Sequence, residues 1–320
     1  MAKLDSVIGF DFSSYEIRAV EMSKSGGSYN LLAMGKMPIE HGVVEEGFIR
    51  DAEKFSDALL ALMKNGNFTA ENYVLGVNNE NVVMRYASFP KVSDDKLRNM
   101  IFLQAQEFMP IPVQEMEMDF FVAGESVNTD EQDMVDVVLV GARKNMLEQI
   151  IDVMSAAKKS VIEIEPTALA LCRAASMANS EACYCLLNLS DGMINFMFVK
   201  NDKMFTVRSI QIPEKHYESV QKLYTKEFSQ EEFEEVIDML VSELNASISY
   251  YSVQYPMNPV DVVYFVSDLP DGAFLAQKLQ ENVSVPVTAP SFYANMNMGG
   301  AANMEAFTAC ISMAIQALEG

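Results

Sequence analysis

One strand–turn–strand pattern occurs twice in this chain, once at the start of each half. Val7-Ile8-Gly9-Phe10-Asp11-Phe12-Ser13-Ser14 runs into Ile17-Arg18-Ala19-Val20-Glu21-Met22. Cys185-Leu186-Leu187-Asn188-Leu189-Ser190-Asp191-Gly192 runs into Ile194-Asn195-Phe196-Met197-Phe198-Val199. Each reads as an apolar strand, a polar turn and a second strand, which is a β-hairpin. In alignment Asp11 falls on Asn188, Ser13 on Ser190 and Ile17 on Ile194. A hairpin opening each half predicts a duplicated fold whose facing turns clamp the phosphates of a nucleotide. The first turn keeps a carboxylate and the second does not. The duplication therefore speaks for the fold and against strong catalysis.

The flanking segments alternate between strand and helix, which places the chain in the α/β class. A third strand is expected over residues 29–39. Asp51 caps a helix with Phe55, Ala58, Leu59, Leu62 and Met63 on one face, ended by Asn65-Gly66. Strands follow over 73–77 and 82–88. Ser93 then caps a helix carrying Leu97, Ile101, Ala105 and Phe108, which Pro110 and Pro112 stop. Strands over 116–123 and 134–140 flank an acidic loop, and a helix follows with Leu147, Ile150, Ile151 and Met154 facing inward. In the second half, the hairpin is extended over 204–212. Ser229 and Glu232 form a capping box for a long helix. A strand over 261–267, a helix around Phe274, Leu275 and Leu279, a short strand over 283–287 and a closing helix with Phe307, Ile311 and Leu318 complete the reading.

Composition narrows the function classes. At 320 residues the chain can bury a substantial core in two lobes. The net charge of −22, with no cluster of Lys and Arg on any expected element, argues against nucleic acid and gives no attraction to an anionic membrane. Four cysteines (Cys172, Cys183, Cys185 and Cys310) without a CxxC spacing, and two histidines (His41 and His216), argue against a zinc site or a disulfide framework. No apolar run approaches the roughly 20 residues needed to span a bilayer, and no signal peptide is evident. The expectation is a cytoplasmic protein with no direct membrane insertion.

Residues 83–171 carry a more specific signature. A strand ending Phe89-Pro90 leads to a helix that closes Glu107-Phe108-Met109-Pro110-Ile111-Pro112. Glu117-Met118-Asp119-Phe120, Val137-Val138-Leu139-Val140-Gly141-Ala142-Arg143-Lys144 and Ile162-Glu163-Ile164-Glu165-Pro166-Thr167-Ala168-Leu169 follow. This resembles the PilM family of type IV pilus assembly proteins, actin-like proteins with an architecture like that of the division protein FtsA. The resemblance covers nearly the whole chain and weakens after residue 185. It implies an α/β, actin-like (ribonuclease H-like) duplicated fold with two small inserted subdomains. The first actin-like subdomain would comprise 1–85 and 159–180, with its insert at 86–158. The second would comprise 181–213 and 259–320, with its small subdomain at 214–258.

The resemblance also implies ATP between the halves. It further implies a groove between the first actin-like subdomain and its insert for the cytoplasmic N-terminal tail of a membrane partner, PilN. The cofactor-binding candidates are Asp11, Ser13, Ser14, Asn188, Ser190, Gly192 and Ser267, with Asp11 as the candidate Mg2+ ligand. Asp11 reads equally well as a turn-capping carboxylate. Several features count against the nucleotide. Asn188 cannot bring the charge a divalent cation wants, a loss of about 1.5–3 kcal/mol. Val266-Ser267-Asp268-Leu269-Pro270 stands where a glycine-rich loop would admit the base. Glu163 and Glu165 lie where a water could be positioned, or are simply solvated strand-end residues. The partner-binding candidates are Phe89, Gln104, Phe108, Met109 and Ile111. The sequence thus favours a non-catalytic scaffold of a pilus or related secretion platform, peripheral to the inner face of the cell membrane. The alternative is a nucleotide-dependent ATPase switch. An FtsA-like membrane anchor lacks its basic C-terminal helix, and a sugar kinase lacks its glycine-rich turns. Self-association is compatible with this reading.

Overall fold

The computed structural model describes residues 4–128, 130–178, 182–190, 192–201, 203–269, 271–293 and 304–319. Asp191 and Pro270, both part of the reading above, lie outside the described residues.

The first lobe begins with β1 (Ser6–Phe12), β2 (Glu16–Ser25) and β3 (Ser28–Pro38). A short hairpin, β4 (Val44–Glu45) and β5 (Phe48–Ile49), precedes α1 (Ala52–Asn65) and β6 (Asn72–Val77). The cap expected for α1 forms, with Asp51 accepting from the Lys54 amide at 3.0 Å. A small subdomain follows: β7 (Val82–Pro90), α2 (Asp94–Phe108), β8 (Met116–Val127), β9 (Asp133–Arg143) and α3 (Lys144–Ala156). The chain then returns through β10 (Ser160–Pro166) and α4 (Thr167–Ala178).

The second lobe runs through β11 (Tyr184–Ser190), β12 (Met193–Lys200) and β13 (Lys203–Gln211), then α5 (Glu214–Thr225) and α6 (Gln230–Gln254). It ends with β14 (Val262–Ser267), α7 (Gly272–Gln280), β15 (Val287–Thr288) and α8 (Thr308–Glu319). Pro213 at the N-cap of α5 turns the chain out of the sheet, and the Ser229–Glu232 capping box is present at the start of α6.

The two large sheets share one plan. Their orders are β3-β2-β1-β6-β10 and β13-β12-β11-β14-β15, with antiparallel hairpins on one side and parallel crossovers on the other. Side chains alternate across each sheet. Val7 and Val20, and likewise Leu186 and Met197, face an inner core that α4 and α8 fill between the sheets. Ile8 and Phe10 face α1 and α3, while Leu187 and Phe196 face α5, α6 and α7.

Several local expectations change with tertiary packing. The closing helix, read as part of the second subdomain, packs on β1, β2 and β6 of the first sheet. Gly9 permits this, because a Cβ there would sit 1.9 Å from the Cys310 carbonyl oxygen. The strand before Phe89-Pro90 joins the small sheet β7-β9-β8, which begins at Val82. One face of that sheet packs on α2, and the other reaches β13 of the second lobe. On α3, Ile151 is exposed, and Met146 and Val153 take its place in the core. The strand expected over 283–287 pairs only at Val287–Thr288, since Pro286 has no donor for the ladder. Ser93 occupies the N-cap of α2 without a side-chain capping bond. Among the described residues, no helix is long and apolar enough to cross a membrane.

Candidate functional site

The two hairpin turns meet at the mouth of the cleft between the lobes. Antiparallel register sets Asp11 opposite Arg18 and Asn188 opposite Asn195, both pairs on the inner faces of their sheets. Arg18 Nε donates to Asp11 Oδ1 at 2.7 Å. Its Nη1 lies 3.5 Å from Asp268 Oδ2 on the opposite lobe and 3.6 Å from Glu16 Oε1. The side chains of Arg18, Asp11 and Asp268 are 5%, 5% and 4% exposed, so this is a buried ion cluster. Burial pushes the Asp11 carboxyl up, and Arg18 pulls it back only in part. Burial also works against the charge on Arg18, but Asp11 and Asp268 hold it well above the ordinary guanidinium range.

Asp268 is tied further into its own lobe. Ser190 Oγ donates to its Oδ2 at 2.8 Å, and Tyr224 Oη donates to its Oδ1 at 2.6 Å. The Tyr224 ring stacks on Tyr15 of the first turn, with centroids 4.2 Å apart and planes at 13°. The second pair reaches the other way. Asn195 Nδ2 donates to Asn78 Oδ1 at 2.9 Å, and Asn78 Nδ2 donates to the Ser190 carbonyl at 3.2 Å. Asn188 is buried beside them, and its Nδ2 has no hydrogen-bond partner.

The arrangement does not fit a magnesium–triphosphate. The Ser13 hydroxyl accepts from the amides of Tyr15 and Glu16 at 3.2 and 3.3 Å, so those donors point into the turn and not outward to a phosphate. Asp11 already has a cation in Arg18. Gly192 adopts a left-handed φ of 82°, as a tight turn requires, but the Tyr217 ring lies 3.4 Å from where its Cβ would stand. Ser267 Oγ accepts from the Leu269 amide at 3.0 Å, within its own loop.

Outside the ion cluster lie two adjoining cavities of about 500 and 620 Å3 that share Ser14, Glu46, Tyr217 and Glu218. Glu45, Glu80, Glu214 and Glu227 add to their walls, a field that repels polyphosphate. Burial and then Glu46 raise the Glu80 carboxyl, against a hydrogen bond from Gln211. Lys222 on the same wall is already held by Glu218 at 2.9 Å and Glu232 at 2.5 Å. Among the described residues, no group of three His, Cys, Asp or Glu side chains is arranged to hold a metal.

Glu165 and Glu163 diverge. Glu165 is buried and bidentate with Arg173 at 2.8 and 2.5 Å, whereas Glu163 is exposed. All four cysteines are buried. Burial pushes the Cys172 thiol up to about 12, and those of Cys185 and Cys310 well above the usual range, so they behave as inert core groups.

The partner candidates separate by burial. Phe89 and Met109 are 2% and 5% exposed and sit in the core of the small subdomain with Leu97, Ile101, Val137 and Leu139. Phe108 and Ile111 are half-buried at its edge, and Gln104 is exposed. Exposed apolar side chains of this subdomain include ones that the sequence reading passed over: Leu103 at 85% exposure, Val122 at 55% and Phe102 at 38%. Leu103 lies on the solvent face of α2, so it breaks the helical stripe and was the available signal.

Two sheets of one topology, two inner helices and inserts after the sixth and thirteenth strands define an actin-like protein. Residues 9–235 match the family model described as type IV pilus assembly protein PilM. The chain belongs to that family. It is similar to a solved structure described as the PilM–PilN type IV pilus biogenesis complex, with 16% identity, a TM-score of 0.84 and coverage of 99% of this chain and 100% of that one. It also matches the ethanolamine utilization protein EutJ from Carboxydothermus hydrogenoformans, at 10% identity and a TM-score of 0.49, over 98% and 90% of the two chains. The cytoplasmic domain of EpsL, from the type II secretion system of Vibrio cholerae, matches at 9% identity and a TM-score of 0.48, over 97% and 95%.

Proposed function

We propose that this protein is a non-catalytic scaffold of a type IV pilus or related secretion platform. It takes the cytoplasmic tail of a PilN-like inner-membrane partner and is held at the inner face of the membrane through that partner. The reading is carried by Arg18: its guanidinium is fixed between Asp11, the candidate metal ligand, and Asp268, so both carboxylates are already paired with a cation. The carboxylates around the cleft mouth support the same reading.

For the partner surface, α2 and the edge strand β8 offer Phe102, Leu103 and Val122, bordered by Gln104, Phe108 and Ile111. An edge strand with the Phe102 ring of α2 beside its Phe120 suits an extended peptide that adds main-chain hydrogen bonds and buries alternate side chains. The similar solved structure is described as a PilM–PilN complex, which supports a PilN-like partner.

The test is a calorimetric titration with the N-terminal peptide of the PilN-like bitopic protein, beside an ATP·Mg turnover assay. Saturable peptide binding, weakened at least tenfold by Leu103→Asp, is expected together with no turnover above a protein-free blank. Turnover that depends on Asp11 would replace this reading with the nucleotide-driven switch.

A further inference from the structure

The contacts across the cleft obey the same duplication as the sheets. Asp11 pairs with Gly76 of β6, and its counterpart Asn188 pairs with Val266 of β14. Two residues beyond those positions stand Asn78 and Asp268, which are therefore counterparts of each other. Arg18 of the first lobe reaches Asp268 of the second, and Asn195 of the second reaches Asn78 of the first. Each lobe thus sends one side chain, from the same site on its second hairpin strand, to the same site just after β6 or β14 of the other lobe. One arm is ionic and the other is an amide pair. Ser190 belongs to both, with its hydroxyl on Asp268 and its carbonyl on Asn78.

We infer that Arg18–Asp268 and Asn195–Asn78 form a two-armed latch that holds the lobes closed without a ligand. Asp11 of the first lobe and Asp268 of the second are like charges that need a cation between them. Here a guanidinium supplies the positive charge and an amide pair supplies the second tie, so closure is written into the chain. The Tyr15–Tyr224 stack and the hydrogen bond from Gln211 to Glu80 lie along the same seam and cover it. The latch would present partners with one fixed arrangement of the lobes. It rests on the reading that nucleotide does not drive this protein.

Hydrogen–deuterium exchange of the full-length protein tests it. Peptides covering residues 12–17 and 189–194 should be equally protected with and without ATP·Mg. Asp268→Asn keeps the shape but removes the charge that Arg18 needs. It is expected to raise exchange in both peptides by about tenfold while the outer strands β3 and β13 stay protected. Should that variant fail to fold, Asn195→Ala, which loosens the uncharged arm, is expected to raise exchange in the same two peptides by severalfold. Protection that increases on adding ATP·Mg overturns the latch. So does exchange left unchanged in whichever variant folds. ATP turnover measured on the same samples separates the two readings: turnover removes the scaffold, whereas unchanged exchange without turnover removes the latch alone.

Discussion

At matching cross-strand positions the first hairpin carries an ion pair, Asp11–Arg18, and the second carries two amides, Asn188 and Asn195. The difference teaches how a buried cleft balances charge. With Asp268 alongside, the first cluster already holds two carboxylates against one guanidinium, all nearly inaccessible to water. A carboxylate at position 188, which is buried opposite Asn195, would have no cation beside it, at a cost of several kcal/mol. Asn188 keeps the shape and removes the charge.

The hardest test of this comparison is Arg18→Met. It leaves Asp11 and Asp268 buried without their cation and is expected to destabilise the protein by about 3–5 kcal/mol. Denaturant unfolding would measure the loss, and Asp11→Asn in the same chain should recover much of it. Full stability of Arg18→Met alone would break the claim that the first pair is an obligate ion cluster.

Next in size is Gly9→Ala. The new Cβ would meet the Cys310 carbonyl at 1.9 Å, a backbone atom that moves only if α8 moves. A loss of about 3 kcal/mol is expected, read as a lower melting temperature. At the matching place in the second hairpin, Leu186 fills the inner core, so the requirement for glycine belongs to the first hairpin alone.

Asn195→Ala removes the neutral arm. A loss of about 1 kcal/mol is expected, the scale of one amide hydrogen bond between uncharged groups. A penalty equal to that of Arg18→Met would erase the distinction between the arms.

The mildest effect should come from Glu232→Gln, which loosens α6 from α5, the helix that carries Tyr224. The hydrogen bond from Lys222, and then those from Ser229, hold the Glu232 carboxyl down to about 2, from an ordinary 4.5. Its stabilising effect is therefore complete above that ordinary value and fades as pH falls toward 2. Wild type and variant should differ in amide exchange at the start of α6 at neutral pH and converge in acid.

Much of this molecule was legible in short windows of sequence. The hairpins, the caps at Asp51 and Ser229, the breaks at Pro110, Pro112 and Pro213 and the alternation of strand faces all depend on neighbours a few residues apart. The pairing of Asp11 with Arg18 was within reach too, because a hairpin of known turn length fixes which residues stand opposite one another. Other features were not accessible this way. Phe89 and Met109 read as partner-binding candidates, yet the small sheet and α2 close over both. Ile151 had the right period for the core but sits on the open edge of α3.

What the sequence determined by itself was the repeated plan: alternation, turn chemistry and capping are local, and they recur wherever the same pattern recurs. Tertiary structure alone decided that Arg18 would find Asp268, that Asn195 would find Asn78 and that α8 would cross back onto Gly9. Those outcomes depend on which surfaces meet after the sheets have formed. Burial then fixes their energies, because it strengthens a paired charge and penalises an unpaired one.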